Sequence, residues 1–152
     1  MLRRRIPLVV SLALLTLSAA CRNDTTAPPS TSLTGTWRQS GDLRDLAHNQ
    51  SHIHLGTFTF AQAGTSFSGS GQQEGICHNA AGDYTGPLAD PAPFPVSGGQ
   101  VDETSVSFDA GICHYQGTFE HGNRNRITGT GTCHYTDQGV DYTFAGQWQA
   151  DR

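Results

Sequence analysis

The residues with the clearest potential for chemistry in this chain are three Cys-His dipeptides, each with a glycine two residues before the cysteine. They occur as GICHN at 75–79, GICHY at 111–115 and GTCHY at 131–135. Thiolates and imidazoles are ligands that zinc and copper prefer. Neighbouring residues of a strand point to opposite faces of a sheet, so a Cys-His pair in a strand cannot hold one ion with both side chains. We therefore expect the cysteines and the histidines to serve opposite faces.

The three cysteines are predicted to meet at one end of the structure. If the strands pair as successive hairpins, Cys113 and Cys133 lie opposite each other on the inward face, and Cys77 approaches the same end. An oxidising compartment, such as one that an exported chain enters, favours a disulfide between Cys113 and Cys133. Two alternatives remain open: a disulfide that uses Cys77, and a soft-metal site of three thiolates with His48 or His52 as a fourth ligand.

The sequence contains no motif typical of catalysis. It has no Gly-x-Ser-x-Gly, no His-Glu-x-x-His and no phosphate-binding loop. The carboxylates of Glu74, Glu103 and Glu120 are not placed as an inward pair that could share acid and base roles. We therefore expect a protein that is not an enzyme and that carries no cofactor.

The first twenty residues, 1–20, have the layout of a secretory signal. Three arginines precede an apolar run at 6–17 and a small-residue end before Cys21. The run is shorter than the roughly 20 apolar residues that span a bilayer. The sequence LSAAC at 17–21 resembles the bacterial lipobox, which implies lipidation of Cys21 and attachment to a lipid bilayer of the cell envelope, in particular the outer membrane. The alternative is ordinary cleavage after Ala20, which would leave Cys21 as a free thiol.

Residues 21–32 are polar and rich in Pro, Ser and Thr, which is typical of a flexible tether. The remaining residues, 33–152, have a common length for a single domain with its own core. Without the signal arginines the chain has six Arg, no Lys and thirteen Asp or Glu residues, a formal charge of −7. This charge argues against nucleic acid as a partner, because phosphates require a basic surface.

The domain is predicted to be all-β. All eighteen glycines lie after residue 34, and no apolar stripe of helical spacing is present, although a helical turn could lie within 42–50. Alternation and turn residues predict strands at 35–40, 52–62, 65–74, 93–100, 104–109, 112–121, 126–136 and 140–150. One polar and one apolar face, with short hairpins, favour an eight-stranded antiparallel up-and-down barrel. The long connections 41–51 and 78–92 rise from the same end, which we expect to be the open rim.

The positions of the turns predict which residues face each other across the hairpins. The predicted turns are at 63–64, 110–111, 122–124 and 138–139. The resulting cross-strand pairs are Phe60 with Phe67, Phe108 with Cys113, Cys113 with Cys133, and Tyr135 with Tyr142. This register carries one inward face across consecutive strands, as a real sheet requires.

The inward face is rich in aromatic side chains and glycines. A barrel of eight strands is just wide enough to be filled by side chains or to hold one small ligand. The side chains that we expect to line a ligand pocket are those of Trp37, Phe58, Phe60, Tyr115, Tyr135, Tyr142 and Trp148. The alternative is that the rings lie over neighbouring glycines and fill the lumen.

Four segments together resemble the small lipocalin-like barrel lipoproteins of bacteria. They are GTW at 35–37, TFTFAQAGTSFSGSG at 57–71, RITGTGT at 126–132 and GQWQADR at 146–152. The resemblance spans the domain and implies the barrel fold, with roles that range from ligand carriage to inhibition. We expect a membrane-anchored lipoprotein that binds a small, largely apolar ligand at its open rim. The alternatives are a filled barrel that binds an envelope protein, and soft-metal binding by the cysteines and histidines of the rim.

Overall fold

The computed structural model describes residues 32–78, 92–121 and 123–152, with the backbone alone for 74–78. The predicted signal peptide, Cys21, nearly all of the tether and most of the predicted 78–92 connection lie outside the described residues. The described part forms eight strands: β1 (Gly35–Asp45), β2 (Gln50–Ala63), β3 (Ser66–His78), β4 (Phe94–Val101), β5 (Ser105–Ala110), β6 (Cys113–Glu120), β7 (Asn123–Asp137) and β8 (Val140–Asp151).

The strands form a closed barrel in the order of the chain. Each strand pairs antiparallel with the next, and β8 pairs antiparallel with β1. In the closing pair, Trp148 of β8 lies opposite Gly41 of β1. Closure is one of the ways in which an all-β protein removes unpaired strand edges. The predicted all-β, eight-stranded antiparallel up-and-down barrel is confirmed.

Two hairpin turns lie one residue later than predicted. The loops are Gly64-Thr65 and Gly111-Ile112, and in each the glycine has a positive φ, 65° and 59° respectively. A type II′ turn requires glycine at its first central position, whereas our prediction placed it second. Phe60 therefore pairs with Gly69 instead of Phe67, and Phe108 pairs with Tyr115 instead of Cys113. Because each pairing shifts by two residues, the inward face is unchanged.

The last two hairpins retain the predicted central register. Gln138 and Gly139 both have positive φ, 49° and 80°, as a type I′ turn requires. This turn places Tyr135 opposite Tyr142. Cys113 lies opposite Cys133, as predicted. The β6–β7 connection is shorter than the predicted 122–124, because β7 begins at 123 and the pairing is irregular at the end of β6.

β1 is longer than predicted. It continues to Asp45, so the long connection predicted at 41–51 is a turn at 46–49, and no helix forms there. Asp42 and Arg44 form an ion pair at 2.9 Å on the outer face, while Asp45 points inward and is buried. Charged residues on both faces of this segment conceal the apolar alternation by which a strand is recognised.

One end of the barrel, here the closed end, contains both ends of the domain and the turns after β2, β4 and β6. Leu33 is fully buried there, its amide donating to Gln62 Oε1 (2.6 Å) and its carbonyl accepting from Trp37 Nε1 (2.8 Å). The guanidinium of Arg152 lies 5.0 Å from the Trp37 ring centroid and donates to the Ser32 carbonyl (2.7 Å). The segment before β1 is therefore fixed as a plug at this end.

The opposite end, here the mouth, contains the turns at 46–49, 111–112 and 138–139 and the strand ends at His78 and Phe94. The inward side chains form two apolar clusters. The larger extends from the closed end through the middle of the barrel and reaches the mouth end of β5; it contains Leu33, Trp37, Phe58, Phe60, Phe67, Val96, Val101, Val106, Phe108, Ala110, Tyr115, Ile127, Trp148 and Ala150. The smaller, nearer the mouth, contains Leu43, Cys133 and Phe144, with Cys113 and Tyr142 packed against it.

Candidate functional site

Four of the predicted ligand residues, Trp37, Phe58, Phe60 and Trp148, lie in the larger cluster. Trp37 and Phe58 have no surface that water could reach, so no water-sized void adjoins them. The ring of Phe108 lies centrally, with its centroid 5.2, 5.3 and 5.7 Å from those of Phe58, Phe60 and Trp148. These contacts are edge-to-face, a geometry that aromatic pairs prefer. The rings therefore pack against one another and fill this half of the lumen.

Two other predicted ligand residues, Tyr135 and Tyr142, lie at the mouth. Their rings stack with centroids 4.9 Å apart and planes 13° apart. Phe144 extends the stack below Tyr135 at 6.0 Å, and His48 lies 4.6 Å from Tyr142. Tyr135 is 39 % exposed. The mouth therefore presents aromatic rings to solvent.

Exposed apolar side chains also concentrate at the mouth. Among the described residues, five large apolar side chains are exposed, and four of them belong to the mouth: Leu46, Ile112, Tyr135 and Val140. We call these four residues the apolar rim. They come from three separate hairpins, whose turns lie at the same end of the barrel. The mouth therefore presents exposed apolar side chains from three hairpins.

The predicted disulfide between Cys113 and Cys133 is formed, with the Cα atoms 4.0 Å apart. It joins directly opposed residues of β6 and β7 and packs with Leu43 and Phe144 in the smaller cluster. The bond covalently ties these strands together beneath the stacked tyrosines. It is therefore part of the framework of the mouth.

The disulfide uses two of the three sulfurs in the alternative metal site. The third sulfur is that of Cys77. The backbone of Cys77 lies opposite His52, and its side chain is outside the described part of the structure. The two histidines of the alternative metal site have other partners. The side-chain amide of Gln73 donates to His52 Nε2, and His48 Nδ1 lies 2.9 Å from Asp45 Oδ2. No three His, Cys, Asp or Glu side chains in the described ranges are arranged to hold a metal ion. The oxidised barrel thus does not form the three-thiolate site.

Asp45 is a buried carboxylate that organises the mouth, and sequence reasoning did not identify it. It accepts hydrogen bonds from the amides of Ala47 (2.9 Å), His48 (3.1 Å) and, across the barrel seam, Thr143 (3.1 Å). The hydrogen bond with the His48 side chain, together with those from the amides of His48 and Thr143, outweighs burial and holds the pKa of Asp45 below its ordinary value. Asp45 thereby fixes the turn at 46–49 against β8.

Two further buried polar side chains, Gln39 of β1 and His54 of β2, form a layer between the two apolar clusters. They are 4 % and 2 % exposed. Gln39 lies opposite Gly56, and His54 lies opposite Gly41. A Cβ on Gly41 would lie 2.4 Å from the His54 ring, so this glycine gives the imidazole its place. On each of these two strands, a polar residue stands two positions before a glycine. This shared spacing is the signal in the sequence that indicates the polar pair.

The polar layer contains two atoms without hydrogen-bond partners, Gln39 Oε1 and His54 Nδ1. The other ring nitrogen, His54 Nε2, lies 3.4 Å from the hydroxyl of Tyr115, the remaining predicted ligand residue. Burial, and secondarily His52, lowers the pKa of His54 to about 4, and burial raises the pKa of Tyr115 to about 12. Both side chains are therefore uncharged at neutral pH. Unpaired buried polar atoms cost stability, and each one in a native protein requires an explanation.

The outer wall carries a hydrogen-bonded chain of Asp109, His114 and Ser107. His114 Nδ1 lies 2.7 Å from Asp109 Oδ1, and its Nε2 lies 3.5 Å from Ser107 Oγ. The same Nε2 is 3.1 Å from the amide nitrogen of Gln116. The side chains of His114 and Asp109 are 47 % and 59 % exposed, so water screens their charges. We interpret this group as a surface network and not as a catalytic triad.

Two depressions of about 520 and 390 Å³ also lie on the outer wall. Exposed Ser, Thr and Gln side chains form much of their linings, and Thr128 and Gln147 belong to both. Neither lining includes Gln39 or His54, the residues with unpaired buried atoms. We take the mouth and the polar layer as the candidate site because they hold the exposed stacked rings and the unpaired buried atoms.

Within the described ranges, no helix is long and apolar enough to cross a bilayer. In comparisons with known proteins, no family model matches this chain, and no curated protein or solved structure is significantly similar to it.

Proposed function

We propose that this protein is a lipocalin-like lipoprotein of the bacterial cell envelope whose barrel binds one small, largely apolar molecule at its mouth. The role is binding and not catalysis. One observation carries the proposal, the difference between the two ends. Leu33 plugs the closed end, whereas at the mouth Tyr135 and Tyr142 lie above the smaller apolar cluster, and two buried polar atoms without partners lie below that cluster. Apolar walls with a few convergent polar groups are typical of small-molecule sites.

The path of the chain supports an anchored carrier. The segment before β1 enters the domain at the closed end, where Arg152 holds the Ser32 carbonyl. A lipid on Cys21 would therefore attach through a tether that leaves from this end. The mouth is the end of the barrel opposite the point at which the chain enters the domain.

Native mass spectrometry of the full-length protein, purified from membranes in mild detergent, tests the binding proposal. We expect an additional small-molecule mass on the wild-type protein. Tyr142→Ala should lose it, because the stack at the mouth is broken, whereas Leu55→Ala, an exposed apolar change elsewhere, should keep it. Retention of the same mass by Tyr142→Ala, or a wild-type protein with no adduct, would contradict binding at the mouth.

Membrane fractionation tests the anchor. Cys21→Ala should move the protein from the membrane to the soluble fraction and remove the mass of the acyl groups. Circular dichroism should be unchanged, because Cys21 precedes the folded domain. A variant that stays in the membrane with an unaltered mass would contradict lipidation at this residue.

Protein binding is the second candidate function, and the filled half of the lumen favours it. If the ring cluster leaves no room for a ligand, the apolar rim is the surface that remains for a partner. Photo-crosslinking from Ile112, in a turn of the mouth, distinguishes the two functions. A single envelope protein captured there, together with no small-molecule mass on the barrel, would support this candidate.

A further inference from the structure

The two unpaired atoms indicate the chemistry of the polar end of the ligand, and this inference rests on the proposed function. We propose that the layer of Gln39, His54 and Tyr115 binds an uncharged group that both donates and accepts hydrogen bonds, of the carboxamide or lactam type. The apolar body of the same molecule then lies among the rings of the mouth.

The position of the layer suits a ligand that enters polar end first. Gln39 and His54 are diagonal neighbours on paired strands, and both point inward. The Cβ atoms of such neighbours are about 7 Å apart, so a planar amide can reach both side chains with hydrogen bonds of about 2.9 Å. His52 lies on the mouth side of the layer, with its ring 5.3 Å from His54 and 6.1 Å from Phe144. These rings are the contacts expected for the body of the ligand.

The hydrogen-bonding pattern calls for one donor and one acceptor in the ligand. We take the tautomer in which the Tyr115 hydroxyl, which stays protonated, donates its one proton to His54 Nε2 at 3.4 Å. A neutral imidazole that accepts at Nε2 carries its proton on Nδ1. The layer then offers a free N–H on His54 and a free carbonyl oxygen on Gln39. A ligand with only donors or only acceptors leaves one of these buried atoms unpaired, which weakens binding.

The layer also discriminates against charged groups. His54 is neutral, and Tyr115 is neutral, so neither offers a charge to an ionised ligand. His52 faces the layer from the mouth side, and burial lowers its pKa too. Asp45, further towards the mouth on β1, already accepts hydrogen bonds from the β1–β2 turn and from β8. A buried charge without a partner is strongly disfavoured.

Three probes of the same size separate these possibilities: benzamide, benzoate and benzylammonium. Their binding to the full-length lipidated protein in detergent is followed by the backbone and imidazole NMR signals. We expect benzamide to shift the signals of Gln39 and His54 and to bind about tenfold more tightly than either ion. Gln39→Met, which keeps the length of the side chain, should weaken benzamide binding about tenfold, whereas Gln149→Met on the exposed face should not change it.

A second readout distinguishes a ligand site from a site for one buried water. Because Gln39→Met removes an unpaired atom, the ligand-free variant should melt at a higher temperature than the wild type. Equal binding of the three probes, with shifts confined to the apolar rim, would overturn the amide inference and leave the proposed function standing. A lower melting temperature for Gln39→Met and no response to benzamide would also overturn it, because the layer would then hold only structural water. The adduct seen by native mass spectrometry decides the proposed function independently.

Discussion

The closed-end half and the mouth half of the barrel are built from the same long strands but differ in what their inward positions contain. On the inward face of β1, Trp37 is followed toward the mouth by Gln39 and Gly41. On the inward face of β2, the rings of Phe60 and Phe58 are followed in the same direction by Gly56 and His54. The closed-end half is packed with rings and has a plug. The mouth half keeps unpaired polar atoms and an exposed apolar rim.

The comparison indicates that the two halves of the barrel have different roles. Packing against other rings is the arrangement that large aromatic side chains need for stability. Buried polar atoms without partners oppose stability, and departures from local rules concentrate at functional sites. We therefore expect stability to depend mainly on the closed-end half and binding on the mouth half.

The largest expected effect compares one aromatic side chain from each half. Trp148→Ala should lower the free energy of unfolding by about 3–5 kcal/mol, because a buried large ring is lost. Tyr135→Ala, which removes a partly exposed ring at the mouth, should cost less than about 1 kcal/mol. Urea denaturation of both variants measures the difference. Equal losses would mean that the two halves contribute alike.

Loss of the disulfide should have the next largest effect. The two cysteines are 20 residues apart, and a crosslink over such a loop contributes about 3 kcal/mol in the chain-entropy model. The double variant Cys113→Ala, Cys133→Ala should therefore unfold at lower urea, and hydrogen exchange should increase first at the mouth ends of β6 and β7. Peptide mapping without reductant should recover the two cysteines joined. A wild-type protein whose stability does not respond to reductant would contradict this role.

Acid should destabilise the barrel through the polar layer. The pKa of His54 is about 4 when folded, below its ordinary value of 6.5, so the unfolded chain takes up a proton that the folded chain does not. The free energy of unfolding is therefore at its full value above pH 6.5. It falls between pH 6.5 and about 4, by about 3 kcal/mol in total. His52 acts in the same direction. His54→Phe should flatten the profile of stability against pH, and His134→Ala on the outer face should leave it unchanged; identical profiles for both variants would exclude His54 as the cause.

The smallest effect concerns the fit of His54 over Gly41. Gly41→Ala should cost about 1–3 kcal/mol, because the added methyl group overlaps the imidazole ring. In a His54→Ala background the same change should cost much less, since the ring is gone. A double-mutant cycle by urea denaturation measures this coupling. Additive losses would show that Gly41 is required for another reason.

Much of the architecture was predictable from the sequence because it depends on local patterns. Alternation identifies the inward face, and the Gln138-Gly139 turn places Cys133 opposite Phe144 and Tyr135 opposite Tyr142. The two turns that we misplaced, at Gly64 and Gly111, shifted the pairing by an even number of residues. The error therefore changed the partners but not the faces.

The candidate site was predictable only in part. Tyr135 and Tyr142 were placed together correctly because one turn sets their register. Gln39 and Asp45 were missed, since a polar residue in a strand is usually assigned to the solvent face. Only the cross-strand neighbours show that these side chains point inward.

The sequence by itself determined the all-β class, the number of strands, the inward face and the opposition of Cys113 to Cys133, because each follows from periodicity or from one short turn. The tertiary structure decided the rest. Leu33 closes one end of the barrel because its backbone is hydrogen-bonded to the Gln62 side chain and the Trp37 indole. The His54 ring lies over Gly41 because β1 pairs with β2 in this register. These contacts join residues from different strands, and their geometry exists only after the strands have paired and the barrel has closed.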